Sequence, residues 1–256
     1  MAVHPIVKKE SAGTAFLVVD PTSYPYGDNT FEDEADIKQE YWTGMSPGDV
    51  VLDVGAAWGG YTLPALAQGA HVIAFDSTED SERVLHENVT LNGLEFCRLF
   101  SFSRLALWDL TPYPEWMTRE IFGERYPVAD IQFTTLDAAI NSVTVRRYSR
   151  DLVRVVEDYA RGIGSGYSVE KIDRVKIDVE GAELGVLRGG EATLRRHHPF
   201  LLIEDHAGIY PNVSRETSTL PILKLLEDFG YEDVKERWWG DPIGGRNFIV
   251  ARYRRK

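Results

Sequence analysis

The ten residues VLDVGAAWGG, Val51 to Gly60, decide the fold. An apolar, strand-like run carries the carboxylate Asp53 near its end. It then breaks into Gly55, Ala56, Ala57, Trp58, Gly59 and Gly60, a loop with little side-chain bulk. Small residues at such a place let backbone N–H groups approach a ligand and leave the next helix N-terminus open to it. A dinucleotide pyrophosphate requires three glycines spaced G-x-G-x-x-G. Here that spacing is missing, Trp58 crowds the phosphate approach, and Asp53 is a poor neighbour for a pyrophosphate but a good one for an ammonium group.

Outward from this loop the chain alternates apolar strands with helices, the pattern of right-handed βαβ units and a parallel sheet. VVLDVG leads through the loop to a helix in YTLPALAQG, closed by Gly69; HVIAFD is the next strand, EDSERVLHENVTLNG the next helix, and FCRLFSFSRLAL a further strand. After two apparent insertions, at about 109–128 and 141–168, the rhythm returns: strand RVKIDV, one helix through AELGVLRGGEATLRRH, and strand PFLLIED. A helix through LPILKLLEDFG precedes YEDVKERWW and NFIVARY, which suit a closing antiparallel hairpin. Upstream, TAFLVVD is a predicted strand, and the acidic stretch after it ends in a short helical piece. Residues 1–47 are thus expected to cap a single α/β domain over 48–256.

Composition narrows the function. A net charge of −12, from 40 acidic and 28 basic side chains, repels nucleic acid and anionic membranes. The arginines at 146, 147, 150 and 154 and the end RYRRK are read as solvated faces. A single cysteine, Cys97, excludes an internal disulfide and fits a reducing compartment, so a cytoplasmic protein is expected. MAVHPIVKKE lacks an apolar core, and no apolar run approaches the ~18 residues of a membrane span.

A ligand with a ribose, a sulfonium and an amino-acid tail fits the opening loop better than a dinucleotide, and S-adenosylmethionine is such a ligand. Asp76, closing the second strand, can accept hydrogen bonds from both ribose hydroxyls, with helix capping as the competing explanation. Asp109 or the backbone about Ala106 and Leu107 would lie beside the adenine. Asp53, Gly55, Ala56, Trp58, Gly59, Tyr61 and Ser77 complete the candidate contacts.

The segments VLDVGAAWGGYTLPAL, TTLDAAI, DRVKIDVEGAELGVLRGG and PFLLIED, in that order, resemble the FkbM family of class I S-adenosylmethionine-dependent methyltransferases. The resemblance spans about residues 48–206, and KIDVEGAELGVLRG is its most specific piece. It implies a Rossmann-like, mostly parallel seven-stranded sheet with a reversed last strand and helices on both faces, the cofactor at the strands' carboxyl ends, and methylation of a hydroxyl oxygen. Ala57 and Trp58 stand where the family usually has Asn and an aliphatic residue.

An alcohol is a weak nucleophile, so methyl transfer calls for alignment, water exclusion and a general base or a divalent cation. The strand after the insertions delivers Asp178 and Glu180 to the ligand crevice, and the next delivers Glu204, Asp205 and His206. His206, taken as a neutral imidazole, is the expected base, with Glu204 orienting it. Asp178 is expected to position the substrate, and Lys176 to pair with these carboxylates or with the acceptor. Glu180 competes with a helix-capping role. Asp178, Glu204 and Asp205 are the expected ligands should magnesium or manganese bind.

The aromatic residues Tyr24, Tyr26, Tyr41, Trp42, Trp108, Tyr113, Trp116, Tyr210, Trp238 and Trp239 suggest a carbohydrate or glycosylated acceptor, with core packing as the rival explanation. The loop from Ala207 to Ser218 is a candidate lid. The expected partner is a small hydroxylated substrate, and the expected assembly a monomer or homodimer. Competing classes are a polyketide-type acceptor, a nicotinamide oxidoreductase, a nucleobase methyltransferase and a cofactor-binding protein without turnover. Against the last three stand the missing third glycine, DVEG in place of an Asn/Asp-Pro-Pro-aromatic element, and the intact carboxylates at both strand ends.

Overall fold

A computed structural model describes residues 5–11, 13–20, 34–94, 100–109, 133–140, 171–210, 212–239 and 246–253. Most of both expected insertions lies outside these residues, as do Tyr24, Tyr26, Cys97, Tyr113, Trp116, the arginine cluster and the last three residues.

The described elements run β1 (Ile6–Ser11), β2 (Thr14–Val19), α1 (Ala35–Trp42), β3 (Val50–Val54), α2 (Thr62–Ala67), β4 (His71–Asp76), α3 (Glu79–Leu91) and β5 (Phe100–Arg104). There follow β6 (Ala106–Leu107), β7 (Phe133–Thr134), β8 (Arg174–Ile177), α4 (Glu183–Gly189), α5 (Glu191–His197) and β9 (Phe200–Asp205). The chain closes with α6 (Leu220–Asp228), β10 (Asp233–Trp239) and β11 (Arg246–Arg252).

Seven strands form one sheet in the order β10-β11-β9-β8-β3-β4-β5. β5, β4, β3, β8 and β9 are mutually parallel, and β11 alone is reversed, lying antiparallel to both β9 and β10. β3 explains why both faces must be covered: Leu52 and Val54 enter one apolar cluster while Val51 enters the other. Chain order reverses direction at β3, which has β4 on one side and β8 on the other. The crevice beyond the carboxyl ends of β3 and β8 is therefore the place for a ligand.

The N-terminal strand signal TAFLVVD is half of an antiparallel hairpin, β1 with β2, in a separate two-stranded sheet. Helix α3 holds it through amides: Asn88 Oδ1 accepts the Val19 N–H at 2.7 Å, and Asn92 accepts the Leu17 N–H at 2.9 Å while donating to the Leu17 carbonyl at 2.7 Å. Two asparagines thus substitute for a neighbouring strand. The expected single helix over 182–197 is two, α4 and α5, parted at Gly190. The glycines are needed there because a Cβ on Gly189 would come 2.6 Å from the Trp108 carbonyl oxygen, and one on Gly190 2.6 Å from Leu136. Asp137, from the TTLDAAI segment, then caps α5 by accepting the Ala192 and Thr193 N–H groups at 3.0 and 2.8 Å. Ahead of α6, one π-helical turn (Arg215–Thr219) begins at a Ser214/Thr217 capping box in a stretch expected to be loop.

Candidate active site

The carboxyl ends of β3, β4, β8 and β9, with the first residue of β11, bring one group of side chains together. Gly55 leaves β3 with φ +78°, and a Cβ there would lie 1.6 Å from the Asp178 carbonyl oxygen, so the turns after β3 and β8 touch backbone to backbone. Only glycine fits. Ala57 also adopts a left-handed φ of 43°, which turns its N–H onto Asp76 Oδ2 at 3.0 Å.

Asp76 is half-buried, and burial pushes its pKa up against the opposing hydrogen bonds from the Thr78 and Ala57 N–H groups. Thr78 N–H takes Oδ1 at 3.0 Å, while the Thr78 hydroxyl stands 3.2 Å from Oδ1 and 2.7 Å from Ser81 Oγ. A hydroxyl has one hydrogen. With that hydrogen on Ser81, the Ser81 hydroxyl bonds Asp76 in turn, and the carboxylate, held by the Ala57 and Thr78 N–H groups and by Ser81, keeps one lone pair for a ribose hydroxyl. Asp53 is 1% exposed; Oδ2 accepts the Thr62 hydroxyl at 2.6 Å, and Oδ1 has no hydrogen-bond partner, with Lys176 Nζ 3.7 Å away. A buried carboxylate oxygen without a donor suits a cationic amine, and burial raises the Asp53 pKa. These residues fit an adenosyl amino acid.

The other expected cofactor contacts have these surroundings. Trp58 is buried with Val19 and Val84 beneath the N-terminal hairpin, so its ring does not stand in the loop as the sequence suggests. Ala56 joins the core, and Gly59 has Leu85 where a Cβ would sit. Tyr61 is buried and donates to Glu34 Oε2 at 2.9 Å. Leu107 lies in the core cluster, Asp109 stands 3.8 Å from Arg188, and Ser77 follows Asp76 at the end of β4.

All five expected catalytic side chains converge. Lys176 Nζ donates to the Gly55 carbonyl at 2.8 Å and pairs with Asp178 Oδ2 at 3.0 Å. Burial alone would lower its pKa, but Asp178 and Asp53 overcome that and raise it, so it stays charged. His206 is 3% exposed, with Nδ1 2.8 Å from Glu183 Oε1. Its Nε2 faces Glu180 Oε2 at 3.3 Å, Asp178 Oδ1 at 3.8 Å and Glu204 Oε1 at 3.9 Å. Burial works against the charged imidazole, yet Glu183 and Glu180 outweigh it and hold the pKa well above its ordinary value. The neutral base expected from the sequence is therefore an imidazolium that donates hydrogen bonds. Glu204 is 5% exposed, and burial together with Asp178 pushes its pKa up.

Asp205 departs from the expected metal set. Its carboxylate accepts Ser218 and Thr219 hydroxyls and the Asn247 amide, tying β9 to the turn before α6 and to β11. Nor does Glu180 cap a helix. Helix α4 starts later, and it is Glu183 that accepts the Val179 and Gly181 N–H groups, at 3.2 and 2.9 Å. Glu180 instead pairs with His206 and accepts the Tyr210 hydroxyl, which joins the start of the candidate lid to the cluster.

Sequence reasoning missed three members. Glu183 is fully buried behind His206, and its place in the first turn after DVEG was the available signal. Arg246 reaches Glu34 Oε1 at 2.7 Å and Glu204 Oε1 at 3.4 Å, from the far end of the chain. Glu34 is 3% exposed and no local pattern marks it. Among the expected aromatics, Tyr41 and Trp42 are core, Trp108 packs against Gly185, and Trp238 is exposed at the edge strand; Tyr210 alone of those described touches the cluster.

Sheet order, single reversed strand and switch-point crevice define a class I methyltransferase fold. M. jannaschii TYW2 in complex with AdoMet matches with TM-score 0.50 at 12% identity, over 100% of this chain and 89% of that one. Trm5b from Pyrococcus abyssi matches with TM-score 0.50 at 12% identity, over 98% and 56%. Residues 158–232 match the methyltransferase FkbM domain, and the resemblance to that family is shown on this segment. The crystal structure of methyltransferase FkbM from Methylobacillus flagellatus KT matches with TM-score 0.49 at 14% identity, over 80% of this chain, which spans 44% of that one. A search of curated proteins finds no match. No helix among the described residues is long and apolar enough to cross a membrane.

Proposed function

We propose that this protein transfers the methyl group of S-adenosylmethionine to a hydroxyl oxygen of a small metabolite. The observation that carries the reading is the contact between two unlike turns. A loop after β3 that turns through Gly55 lies against a turn after β8 that carries carboxylates, and Lys176 hydrogen-bonds both. Asp76 would hold the ribose and Asp53 the amino-acid tail. The bound cofactor would supply an electrophilic sulfonium methyl.

The remaining tasks fall to this chain. Asp178, side chain 23% exposed and fixed by Lys176, is the carboxylate placed to receive the hydroxyl proton as oxygen bonds to the methyl carbon and the sulfur–carbon bond breaks. His206 and Arg246 hold Glu180 and Glu204 around the acceptor. A positioned base contributes roughly 10²–10⁴ in rate. Tyr210, half-buried with its ring 28° from the His206 plane and centroids 6.0 Å apart, offers a flat face to a sugar ring. That contact and the family resemblance favour a sugar or glycosylated metabolite as acceptor, and a net charge of −12 disfavours a polyanion.

Incubation with methyl-labelled S-adenosylmethionine and a panel of sugars, glycosides and polyketide-type alcohols, with detection of S-adenosylhomocysteine, tests the reading. Turnover on an alcohol, abolished in Asp178→Asn while cofactor affinity persists, supports it. Cofactor binding without turnover on any hydroxyl, or methylation of a nitrogen centre, contradicts it.

A further inference from the structure

We infer that Asp178, Glu204 and His206 form a binding site for one divalent cation of the manganese type, within the acceptor site proposed above and resting on that reading for its role. One carboxylate oxygen from each acid and one imidazole nitrogen lie within 4.8 Å of one another. His206 Nε2 stands 3.8 Å from Asp178 Oδ1 and 3.9 Å from Glu204 Oε1. Ligand atoms about 2.1 Å from a shared ion sit about 3.0–3.4 Å apart in octahedral or tetrahedral arrangement. Each of those two pairs would therefore close by less than about 1 Å, within the reach of side-chain rotation.

Two further observations point to a cation. First, His206 is oriented as a ligating imidazole is: Nδ1 is fixed on Glu183, itself held by two backbone N–H groups, and Nε2 is aimed at the carboxylates, where an ion would replace the proton shared with Glu180. Second, Glu204 is 5% exposed and accepts no hydrogen bond among the described residues; its nearest cationic atoms are Arg246 Nε at 3.4 Å and His206 Nε2 at 3.9 Å.

Two oxygens and one imidazole suit manganese better than magnesium, which prefers oxygen and retains its waters, or zinc, which favours nitrogen and sulfur. Lys176 would stay on Asp178 Oδ2, leaving Oδ1 for the ion. Positions not taken by protein would bind the acceptor hydroxyl and lower its pKa before the methyl arrives; with Asp178 then serving as a ligand, the proton would pass to Glu180, the half-exposed carboxylate outside the ligand set.

The test is binding of manganese alone to chelator-treated full-length protein, followed by electron paramagnetic resonance and calorimetry with no substrate present. One ion per chain is expected, with affinity at least about tenfold weaker in Glu204→Gln and His206→Gln. Because those variants can unfold, the wild type carries a second readout: manganese should broaden the His206 imidazole resonances before those of His71 and His86. No stoichiometric binding, or broadening that spares His206, overturns the site. Cofactor affinity measured separately on the same samples distinguishes that failure from failure of the methyltransferase reading.

Discussion

Two turns lie in contact at the centre of the molecule and solve opposite problems. The turn after β3 leaves its strand through Gly55 at φ +78° and sends its side chains Ala56 and Trp58 into the core; the turn after β8 passes through Glu180 at φ 57° and Gly181 at φ 99° and carries the carboxylates Asp178 and Glu180. Under the proposed function, the first lets backbone approach a ligand and the second brings chemistry to it. Their difference teaches that a shape-based site is encoded locally, whereas a charge-based site borrows partners from the whole chain. Glu183, Tyr210 and Arg246 around the second turn come from α4, the loop after β9 and β11.

Breaking the contact between the turns should have the largest effect. Gly55→Val places a branched side chain where even a Cβ would lie 1.6 Å from the Asp178 carbonyl oxygen. We expect a loss of more than about 4 kcal/mol of stability or failure to fold, read by chemical denaturation. Lys176→Met removes the cation common to both turns and leaves Asp53 and Asp178 without it, for an expected loss of about 3–5 kcal/mol by the same method.

The acceptor side alone is addressed by Glu183→Gln, which keeps shape but weakens the anchor on His206 Nδ1. Turnover should fall about 10–100-fold with cofactor affinity unchanged. Far from both turns, Asn88→Ala leaves the buried Val19 N–H without its 2.7 Å acceptor and should cost about 1–3 kcal/mol, seen as a lower denaturation midpoint. Asn92→Ala, on the more exposed rung at Leu17, should cost about 0.5–1.5 kcal/mol.

Legibility in the sequence follows the same division. β3, β4 and β9 are mostly apolar and β8 alternates Val175 and Ile177 with Arg174 and Lys176, all four lying between turn residues that located them, and the YEDVKERWW/NFIVARY pair emerged as the antiparallel β10-β11 hairpin. The seven strands and the reversal of the last one, β11, came from family resemblance, and the sheet shows them. Of the residues expected to meet the cofactor, Gly55 and Asp76 are found at the strand ends where the sequence puts them. The place of Trp58 was not legible, because its packing partner Val19 belongs to a hairpin held by Asn88 and Asn92, which no local pattern announces. The convergence of Lys176, Asp178, Glu180, Glu204 and His206 was legible by position, but their states were not. His206 looked like a base until Glu183 and Glu180 were seen beside it, and Asp205 looked like a metal ligand until Ser218, Thr219 and Asn247 were found to use its oxygens.

Division of labour between the two turns is tested most directly by calorimetric titration of S-adenosylmethionine into wild type, Asp76→Asn and Glu204→Gln. The account predicts one site per chain in the wild type, at least about tenfold weaker binding in Asp76→Asn, and unchanged affinity in Glu204→Gln. No heat with the wild type, or loss in Glu204→Gln with retention in Asp76→Asn, would contradict it.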